Sequence, residues 1–437
     1  MLSKISNYFG FERAGTTLGR EVVAGVTTFV TMSYIIVVNP AILKMAGMPP
    51  EPAMIATIVT AIFGTLIMGV YANRPFAIAP YMGENAFIAF TVVQVLGYSW
   101  HKALGAILIA GVLFILLTVL KLRAWLVDAV PITLRYAFSV GIGLFLTFIG
   151  LNETGIVMLG SAGAPVRTGP ITSEPVLVSI FGFLLIVGLI IRKFPGAILT
   201  GIIVTAFLAF ALHVAPAPHS FVSMPPSLRP LLFQVDLKGT LNWAFFPVVL
   251  TIFIMAFVDT MGTLIGVSAR AGFLDEDGNL PEIERPMLAD ALSTTFAALV
   301  GTTTAGAYIE SATGVEAGGR TGFTAVVTAA CFGLALFFSP FATAIPTHAY
   351  GPALIVVGSF MLAPTAKIKF SDFTELFPAF AVIALMIFSY NIGVGITAGF
   401  VLYPFCKLIA GRRREIRPGL WVLAALSLAF FIFYPYT

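Results

Sequence analysis

Charge is scarce in this sequence. Of its 437 residues, only 10% are Asp, Glu, Lys or Arg, whereas 59% are hydrophobic. Soluble domains carry roughly 25% charged residues, so 24 basic and 20 acidic side chains are too few to cover a soluble protein of this length. The shortage excludes a soluble enzyme, a nucleic-acid-binding module and a disordered regulator. A mean hydropathy of +0.99 agrees and places the chain in a lipid bilayer.

Cysteine and histidine are also scarce. Cys331 and Cys406 both lie inside apolar runs, which favours reduced, buried thiols over a disulfide or a metal site. The four histidines are scattered, and neither a nucleophile motif nor a phosphate-binding loop occurs. We therefore expect no metal, no cofactor and no enzymatic activity. Residues 1–21 lack the apolar stretch of a cleavable signal peptide and are predicted to be a cytoplasmic N-terminal segment.

Long apolar runs fill most of the chain. A membrane-spanning helix needs about 20 mostly apolar residues, and the runs divide at glycines and prolines. The division predicts an all-α polytopic membrane protein with about fourteen spans, at 22–42, 52–72, 76–98, 102–120, 133–151, 174–191, 196–213, 243–266, 286–300, 302–318, 321–338, 345–363, 373–389 and 391–410. A last apolar stretch, 420–435, is either a further crossing or an interfacial helix.

The basic residues orient these spans, because cytoplasmic loops of membrane proteins are enriched in Lys and Arg. With the N-terminus in the cytoplasm, only five of the 24 basic residues fall outside, namely Lys44, Lys102, Arg167, Arg229 and Lys238. The pattern predicts a multi-pass protein of the cell membrane (plasma or inner) with a cytoplasmic N-terminus. It also explains the net charge of +4 without a nucleic-acid partner.

Two pairs of similar strings indicate an internal repeat. Residues 29–31 (Phe-Val-Thr) in the first span resemble residues 257–259 (Phe-Val-Asp) in the eighth, and residues 81–86 in the third resemble residues 307–311 in the tenth. Seven spans separate the members of each pair, so the second copy enters the membrane from the opposite side. The pattern predicts an inverted-topology repeat of seven plus seven spans, as in many transporters.

The third and tenth spans have an unusual composition. Residues 73–83 contain two prolines, and residues 301–306 contain two glycines and three threonines, so both segments favour extended backbone. A helix then begins near Glu84 and near Glu310. Non-helical backbone at membrane depth is tolerated only where it is buried in protein or lines a cavity. Two half-helices at matching positions of two repeats are the best sequence indication of a substrate site.

Carboxylates fall inside the predicted spans. A charged side chain at membrane depth costs several kcal/mol, about 2.5 or more, and therefore marks function by default. Since a carboxylate can bind and release a proton, the candidates for proton coupling are Glu84, Asp259, Glu310 and Glu316. Asp290 lies one turn into the ninth span, where a structural role as a helix cap or in an ion pair suits it as well as a functional role does.

The same carboxylates constrain the solute. No basic residue belongs to the start of either half-helix, and fixed negative charge there disfavours an anion. The acidic groups suit a cation or a neutral solute rich in N–H groups, and Asn85 adds a donor and an acceptor. Phe87 and Tyr308 are candidates for stacking on a flat ring, and Thr31 and Thr263 for further contacts. The set favours a flat heterocycle. The alternatives to a transporter of such a heterocycle are a channel or anion exchanger with the same arrangement of spans, and a membrane enzyme.

Four strings resemble the nucleobase–ascorbate transporter superfamily (nucleobase–cation symporter family 2), and most closely its AzgA-like hypoxanthine/adenine/guanine permeases. They read FVTMSY with a later NP, MGENAF, FVDTMGT, and YIESATGV followed by AGGRTG. In this numbering they begin at residues 29, 39, 82, 257, 308 and 317. The likeness covers essentially the whole chain, in order and at sensible spacing.

The resemblance implies a secondary active transporter that imports purine bases (adenine, guanine and hypoxanthine) by proton symport. Another nucleobase, xanthine or uracil, is the alternative substrate. The family also implies an elevator-like movement of a core domain against a gate domain that is held in a homodimer. The implied divisions are the core at 22–120 and 243–338 (spans 1–4 and 8–11), the gate at 133–213 and 345–410 (spans 5–7 and 12–14), and a basic segment with an apolar helix at 411–437.

The resemblance also assigns individual residues. The family's purine-binding asparagine corresponds to Asn85, its acid in the eighth span to Asp259, and its glutamate in the tenth span to Glu310. One position departs from the family, because an apolar residue is expected where this chain has Glu84.

Overall fold

The computed structural model describes residues 2–120, 129–161, 164–275 and 280–433. Two basic residues that were assigned to the cytoplasmic side, Lys121 and Arg123, lie outside the described residues, as do residues 1 and 434–437 of the predicted terminal segments.

Helices make up most of the described chain. In the first half they are α1 Leu2–Phe9, α2 Leu18–Met32, α3 Ile35–Met45, α4 Pro50–Val70, α5 Met82–Ala86, α6 Trp100–Val119, α7 Ile132–Glu153, α8 Glu174–Ile191 and α9 Ala197–Ala211, with a π-helix at Phe87–Val95. In the second half they are α10 Leu237–Thr240, α11 Phe246–Ala271, α12 Glu284–Val300, α13 Ser311–Glu316, α14 Gly322–Ala335, α15 Ser339–Ala344, α16 Thr347–Phe360, α17 Phe373–Phe388, α18 Ile392–Ile409 and α19 Pro418–Phe433. The strands are β1 Ile78–Pro80, β2 Val157–Ser161, β3 Ala164–Thr168 and β4 Ala305–Ala307.

The helix lengths match a membrane environment. Within the described residues, nine helices are long and apolar enough to cross a bilayer, and three shorter apolar helices add to them. The prediction of a polytopic membrane protein is thereby confirmed. The total of fourteen spans in a seven-plus-seven order stays a prediction.

The expectation of an all-α chain needs correction outside the helices. β2 and β3 form an antiparallel hairpin between α7 and α8, with Val157 opposite Thr168 and Met158 opposite Arg167. Such a hairpin satisfies its backbone groups within one short segment. No strand is predicted from the sequence in this connection between α7 and α8.

The first span is two helices rather than the single predicted helix 22–42. α2 ends at Met32, α3 begins at Ile35, and the amides of Val37 and Val38 both donate to the carbonyl of Tyr34. These bonds start a new helix, so the span breaks at Ser33 and Tyr34. The break buries the Tyr34 side chain, which is 1% exposed.

Two three-residue strands join the two halves of the chain. β1 and β4 pair antiparallel, with Ile78 opposite Ala307 and Pro80 opposite Ala305. The prediction that the third and tenth spans are part extended and part helical is confirmed. The helical part of the tenth span is only α13, however, so the predicted span 302–318 is mostly not helix.

A threonine from a neighbouring helix bonds the free edge of each strand. Thr65 of α4 accepts from the amide of Ile78 at 2.9 Å and donates to its carbonyl at 3.1 Å. Thr294 of α12 does the same for Ala305, at 3.1 and 2.9 Å. Buried backbone groups must be bonded, and here the same solution occurs twice, at positions that the predicted repeat relates. The match supports the inverted repeat.

A left-handed residue ends α12 just before β4. Gly301 has a φ of 90°, and a Cβ atom there would lie 2.4 Å from the Cβ of Leu231. Only glycine fits both the dihedral angle and the space. The turn lets the chain leave the helix directly into the extended segment.

A buried carboxylate joins α2 to α14. Glu21 is fully buried and accepts hydrogen bonds of 2.6–3.3 Å from the amides of Arg320, Thr321 and Thr324 and from both threonine hydroxyls. A negative charge at a helix N-terminus is favourable. Glu21 had been placed at the edge of the N-terminal segment, so this contact was not predicted.

A buried lysine joins α17 and α18. Lys407 is 1% exposed, and its Nζ lies 2.7 Å from Glu375 and 2.6 Å from Glu415. The Tyr403 hydroxyl donates to Glu375 at 2.8 Å. Since an unpaired buried charge is strongly destabilising, this network fixes the end of the predicted gate domain that carries the basic segment.

At the opposite end, Tyr390 joins the predicted core to the predicted gate. Its carbonyl accepts a 2.9 Å hydrogen bond from the Thr91 hydroxyl of the third span. Its ring lies 5.1–6.0 Å from those of Phe90, Phe145 and Phe148. The two regions are therefore in contact near the start of α18.

Candidate functional site

The candidate site lies where β1 and β4 give way to the half-helices α5 and α13. Tyr81 follows β1, Tyr308 follows β4, and their rings stack with centroids 6.2 Å apart and planes 7° apart. The Tyr308 hydroxyl donates to the carbonyl of Pro80, and the Tyr81 hydroxyl lies 3.2 Å from that of Thr260. The two rings form a fixed aromatic wall.

Glu310 lies directly before α13 and is half-buried. Its Oε1 accepts a 2.6 Å hydrogen bond from the Tyr34 hydroxyl. This charge-assisted bond orients the carboxylate. A ligand at the start of α13 would meet an oriented acceptor.

Asp259 lies on a partly open face of α11. Along this face Asp259 and Thr263 are half-buried, and Gly262, Gly266 and Arg270 are exposed. A Cβ atom added at either glycine would meet no heavy atom within 4 Å, so there is open space beside the helix at these positions. Asp259 has no hydrogen-bond partner among the described residues. Its carboxylate is therefore open to a ligand or a proton arriving along this face.

Asn85 and Glu84 lie in the first turn of α5 and are both fully buried. The Asn85 Oδ1 accepts a hydrogen bond from the Thr303 hydroxyl, whereas its Nδ2 has no partner. Neither oxygen of Glu84 bonds to another residue. α5 thus contributes one unused donor group and one unused carboxylate.

Electrostatic interactions show that these groups share one region. Tyr308 lies within electrostatic range of Glu84, Asp259 and Glu310, and Glu84 lies within range of Asp259. Among the described residues, no lysine or arginine is paired with any of the three carboxylates. The site is acidic and has no fixed positive charge.

The other candidates from the sequence lie at the border of this region or away from it. The Thr31 hydroxyl bonds to backbone carbonyls of α2 and to Thr313, so it ties α2 to α13. Phe87 is buried in the π-helix at 2% exposure. Glu316 is exposed and forms a 3.2 Å ion pair with Arg270. The structure brings together Glu84, Asn85, Asp259, Tyr308 and Glu310.

Sequence reasoning missed several residues of the region. Tyr34, Tyr81 and Thr303 carry no charge, and only their place in the fold identifies them. Asp290 carried a signal, since it is a lone acid in an apolar span. It is fully buried, accepts a 3.1 Å bond from the amide of Ala307, and has the hydroxyls of Thr260 and Tyr81 beside it. Asp290 therefore supports β4 from behind the aromatic wall.

Comparisons with known proteins find a family model and relatives that match most of the chain. A model of the Permease family (Xan_ur_permease) matches residues 19–402. The adenine permease AdeP of Escherichia coli is 39% identical over 429 residues, which cover 98% of this chain and 96% of that protein. The guanine/hypoxanthine permease PbuO of Bacillus subtilis is 39% identical over 425 residues, which cover 96% and 98%.

Solved structures show the same architecture. The transmembrane domain of BicA, a cyanobacterium bicarbonate transporter, superposes with a TM-score of 0.66 over 87% of this chain and 97% of that domain. The two sequences are 16% identical. At this identity the likeness concerns the fold alone.

Proposed function

The chain belongs to the Permease family, the nucleobase–ascorbate transporter family that its motifs resemble, and we propose that it imports purine nucleobases by proton symport. Membership makes it a multi-pass membrane transporter rather than an enzyme. The proposed substrates are adenine, guanine and hypoxanthine. The proposed location is the cell membrane, with the N-terminus in the cytoplasm.

The main support for this proposal is the group of hydrogen-bond acceptors and donors in and beside the two half-helices. Asp259 and Glu310 accept hydrogen bonds from N–H groups of the purine, and the free Nδ2 of Asn85 donates to a ring nitrogen or carbonyl. The parallel rings of Tyr81 and Tyr308 suit a flat heterocycle. The adenine and guanine/hypoxanthine permeases among the relatives support the same substrate class.

Proton coupling is proposed to reside at Asp259. This carboxylate has no partner among the described residues and lies at the inner end of the open face of α11. A proton bound there removes one negative charge from the site, which lowers the cost of moving it through the membrane. Glu310, whose oxygen is held by Tyr34, is proposed to contribute chiefly to purine binding.

The movement is proposed to be elevator-like. The core carries the strand pair and both half-helices, and it slides against a gate that is held in a homodimer. Thr91 and Tyr390 supply a contact between the two that must break in each cycle. The Lys407 network, by contrast, joins the gate to the basic segment that follows it, makes no contact with the described residues of the core and stays intact.

Uptake by purified protein in liposomes tests the proposal. With an inward proton gradient, labelled adenine, guanine and hypoxanthine should accumulate, and a proton ionophore should abolish the accumulation. Unlabelled xanthine, uracil and bicarbonate serve as competitors, and empty liposomes as the control. Uptake of xanthine or uracil instead of these purines would shift the assignment to another nucleobase. Uptake of an anion without purine would overturn it in favour of an anion exchanger.

A further inference from the structure

Glu84 is the most deeply buried of the three acids of the site, because Asp259 and Glu310 are half-buried. It is fully buried, and neither of its oxygens has a hydrogen-bond partner on another residue. Buried polar groups almost always form hydrogen bonds, and a buried acceptor without a hydrogen bond costs free energy of folding. Its own backbone amide lies within reach of the carboxylate, and a bound ligand that carries N–H groups would supply a further donor.

The surroundings of Glu84 place its carboxylate in the substrate region. Asp259 of α11 and the phenols of Tyr81 and Tyr308 lie within its electrostatic range. No basic side chain among the described residues pairs with it. At the neighbouring position, a Cβ atom at Gly83 would lie 2.7 Å from Ile142, so α5 packs closely against α7 here.

The number of acceptors can be compared with the number of donors on each base. Neutral hypoxanthine carries two ring N–H groups, which match Asp259 and Glu310. Guanine adds an amino group to hypoxanthine. Unsubstituted purine carries only one ring N–H group, and adenine adds to it an amino group with two N–H donors. A third acceptor therefore finds a donor only when the base carries an amino group, since the unused Nδ2 of Asn85 makes no hydrogen bond to Glu84.

We propose that Glu84 accepts a hydrogen bond from the exocyclic amino group of the substrate and makes the transporter prefer aminopurines. The inference rests on the proposed function and adds a specificity determinant to it. With guanine or adenine bound, Glu84 gains its missing donor, and with hypoxanthine or unsubstituted purine it stays unpaired. A site that is built to bond a polar group rejects an analogue lacking that group strongly.

Two matched pairs of bases test this role. Inhibition constants of guanine against hypoxanthine, and of adenine against purine, are measured with labelled hypoxanthine as the reporter in proteoliposomes. The wild type should favour each amino-bearing base by about tenfold or more. Glu84→Leu should bring both ratios close to one. Glu84→Gln keeps a neutral acceptor and should give intermediate ratios. Glu51→Leu, at an exposed position in the first turn of α4, should keep the wild-type ratios.

The outcomes separate this inference from the proposed function. If the wild type takes up no purine, the proposed function fails. If it takes up purines but does not discriminate within the matched pairs, only the role of Glu84 is overturned, even without a variant. The role is also overturned if Glu84→Leu keeps the wild-type ratios of inhibition constants, whether or not the binding of both bases of a pair weakens. Glu84→Gln decides the question if the leucine variant does not fold in detergent.

Discussion

The hydroxyl of Tyr34 donates a 2.6 Å hydrogen bond to Oε1 of Glu310, and the two residues come from different halves of the chain. Tyr34 occupies the break between α2 and α3, and Glu310 directly precedes α13. The bond therefore links the kink of the first span to the half-helix of the tenth. One oxygen of the carboxylate is held by the protein, and the other has no further side-chain partner among the described residues.

Replacing Glu310 tests its contact with the purine. Glu310→Gln keeps the shape but removes the charge, and a hydrogen bond to a charged group contributes about 1.5–3 kcal/mol. We expect initial rates of labelled adenine uptake to fall about tenfold or more at equal surface expression. Glu51→Gln is the matched control and should transport normally. Unchanged kinetics in Glu310→Gln would rule out the contact.

Replacing Asp259 separates coupling from binding. Asp259→Asn holds the position in a neutral state, so we expect concentrative uptake to be lost while counterflow exchange of labelled purine persists. Exchange should persist more strongly than in Glu310→Gln. If Asp259→Asn still accumulates purine and still responds to an ionophore, the coupling residue lies elsewhere.

The sequence predicted the charged members of the site, together with Asn85 and Tyr308, and could not predict the other neutral ones. Asp259 and Glu310 were identifiable because a carboxylate in an apolar span is costly. Glu316 gave the same signal, yet it is exposed and forms an ion pair with Arg270. The sequence did not show that the helix carrying it ends after six residues, so it could not show that Glu316 lies near the surface. Tyr34 and Tyr81 gave no signal among 12 tyrosines. Their roles depend on contacts between segments more than 170 positions apart in the sequence.

The fold shows the same division. Prolines and glycines predicted the extended parts of the third and tenth spans, since these residues act on their own backbone. The break at Ser33 and Tyr34 was not predictable, because the residues between Thr31 and Val38 suit an unbroken apolar helix. Local chemistry is visible in a single sequence, whereas a kink that is stabilised by distant contacts is not.

Glu21 should contribute to stability rather than to transport chemistry. Glu21→Gln replaces one carboxylate oxygen by an amide donor that faces the amides of Thr321 and Thr324. We expect a loss of about 1–3 kcal/mol, the cost of unsatisfied buried groups. The melting temperature of the detergent-purified protein should fall measurably, whereas Glu12→Gln at an exposed position should not change it. A melting temperature equal to wild type would contradict the helix-capping role.

Asp372 should stay ionised throughout the working range. Hydrogen bonds from Thr374, together with the Arg412 guanidinium at 2.6 Å, lower the pKa of Asp372 to about 2 from its ordinary 3.8. A carboxylate with a lowered folded-state pKa stabilises above its unfolded pKa, and that contribution is lost only as the pH falls through about 2. Asp372→Asn should therefore lower the melting temperature equally at about pH 5 and pH 8. A larger effect at one pH would contradict this assignment.

Labelling of single cysteines tests the orientation. In a background without Cys331 and Cys406, Met224→Cys should react with an impermeant thiol reagent on intact cells, because Met224 is 81% exposed in a segment predicted to be external. Arg414→Cys, in the exposed basic segment, should react only after the cells are opened. The reverse pattern would invert the topology.

The pairing of β1 with β4 also governs how the protein matures. About 225 residues separate Pro80 from Ala305, and a ribosome adds about 5–20 residues per second, so β1 waits roughly 10 to 45 s for its partner. During that interval only Thr65 bonds the backbone of Ile78. The first half therefore enters the membrane with an unfinished strand edge. Insertion of the tenth span completes the strand pair beside the proposed purine site, and we expect a truncated first half not to bind purine.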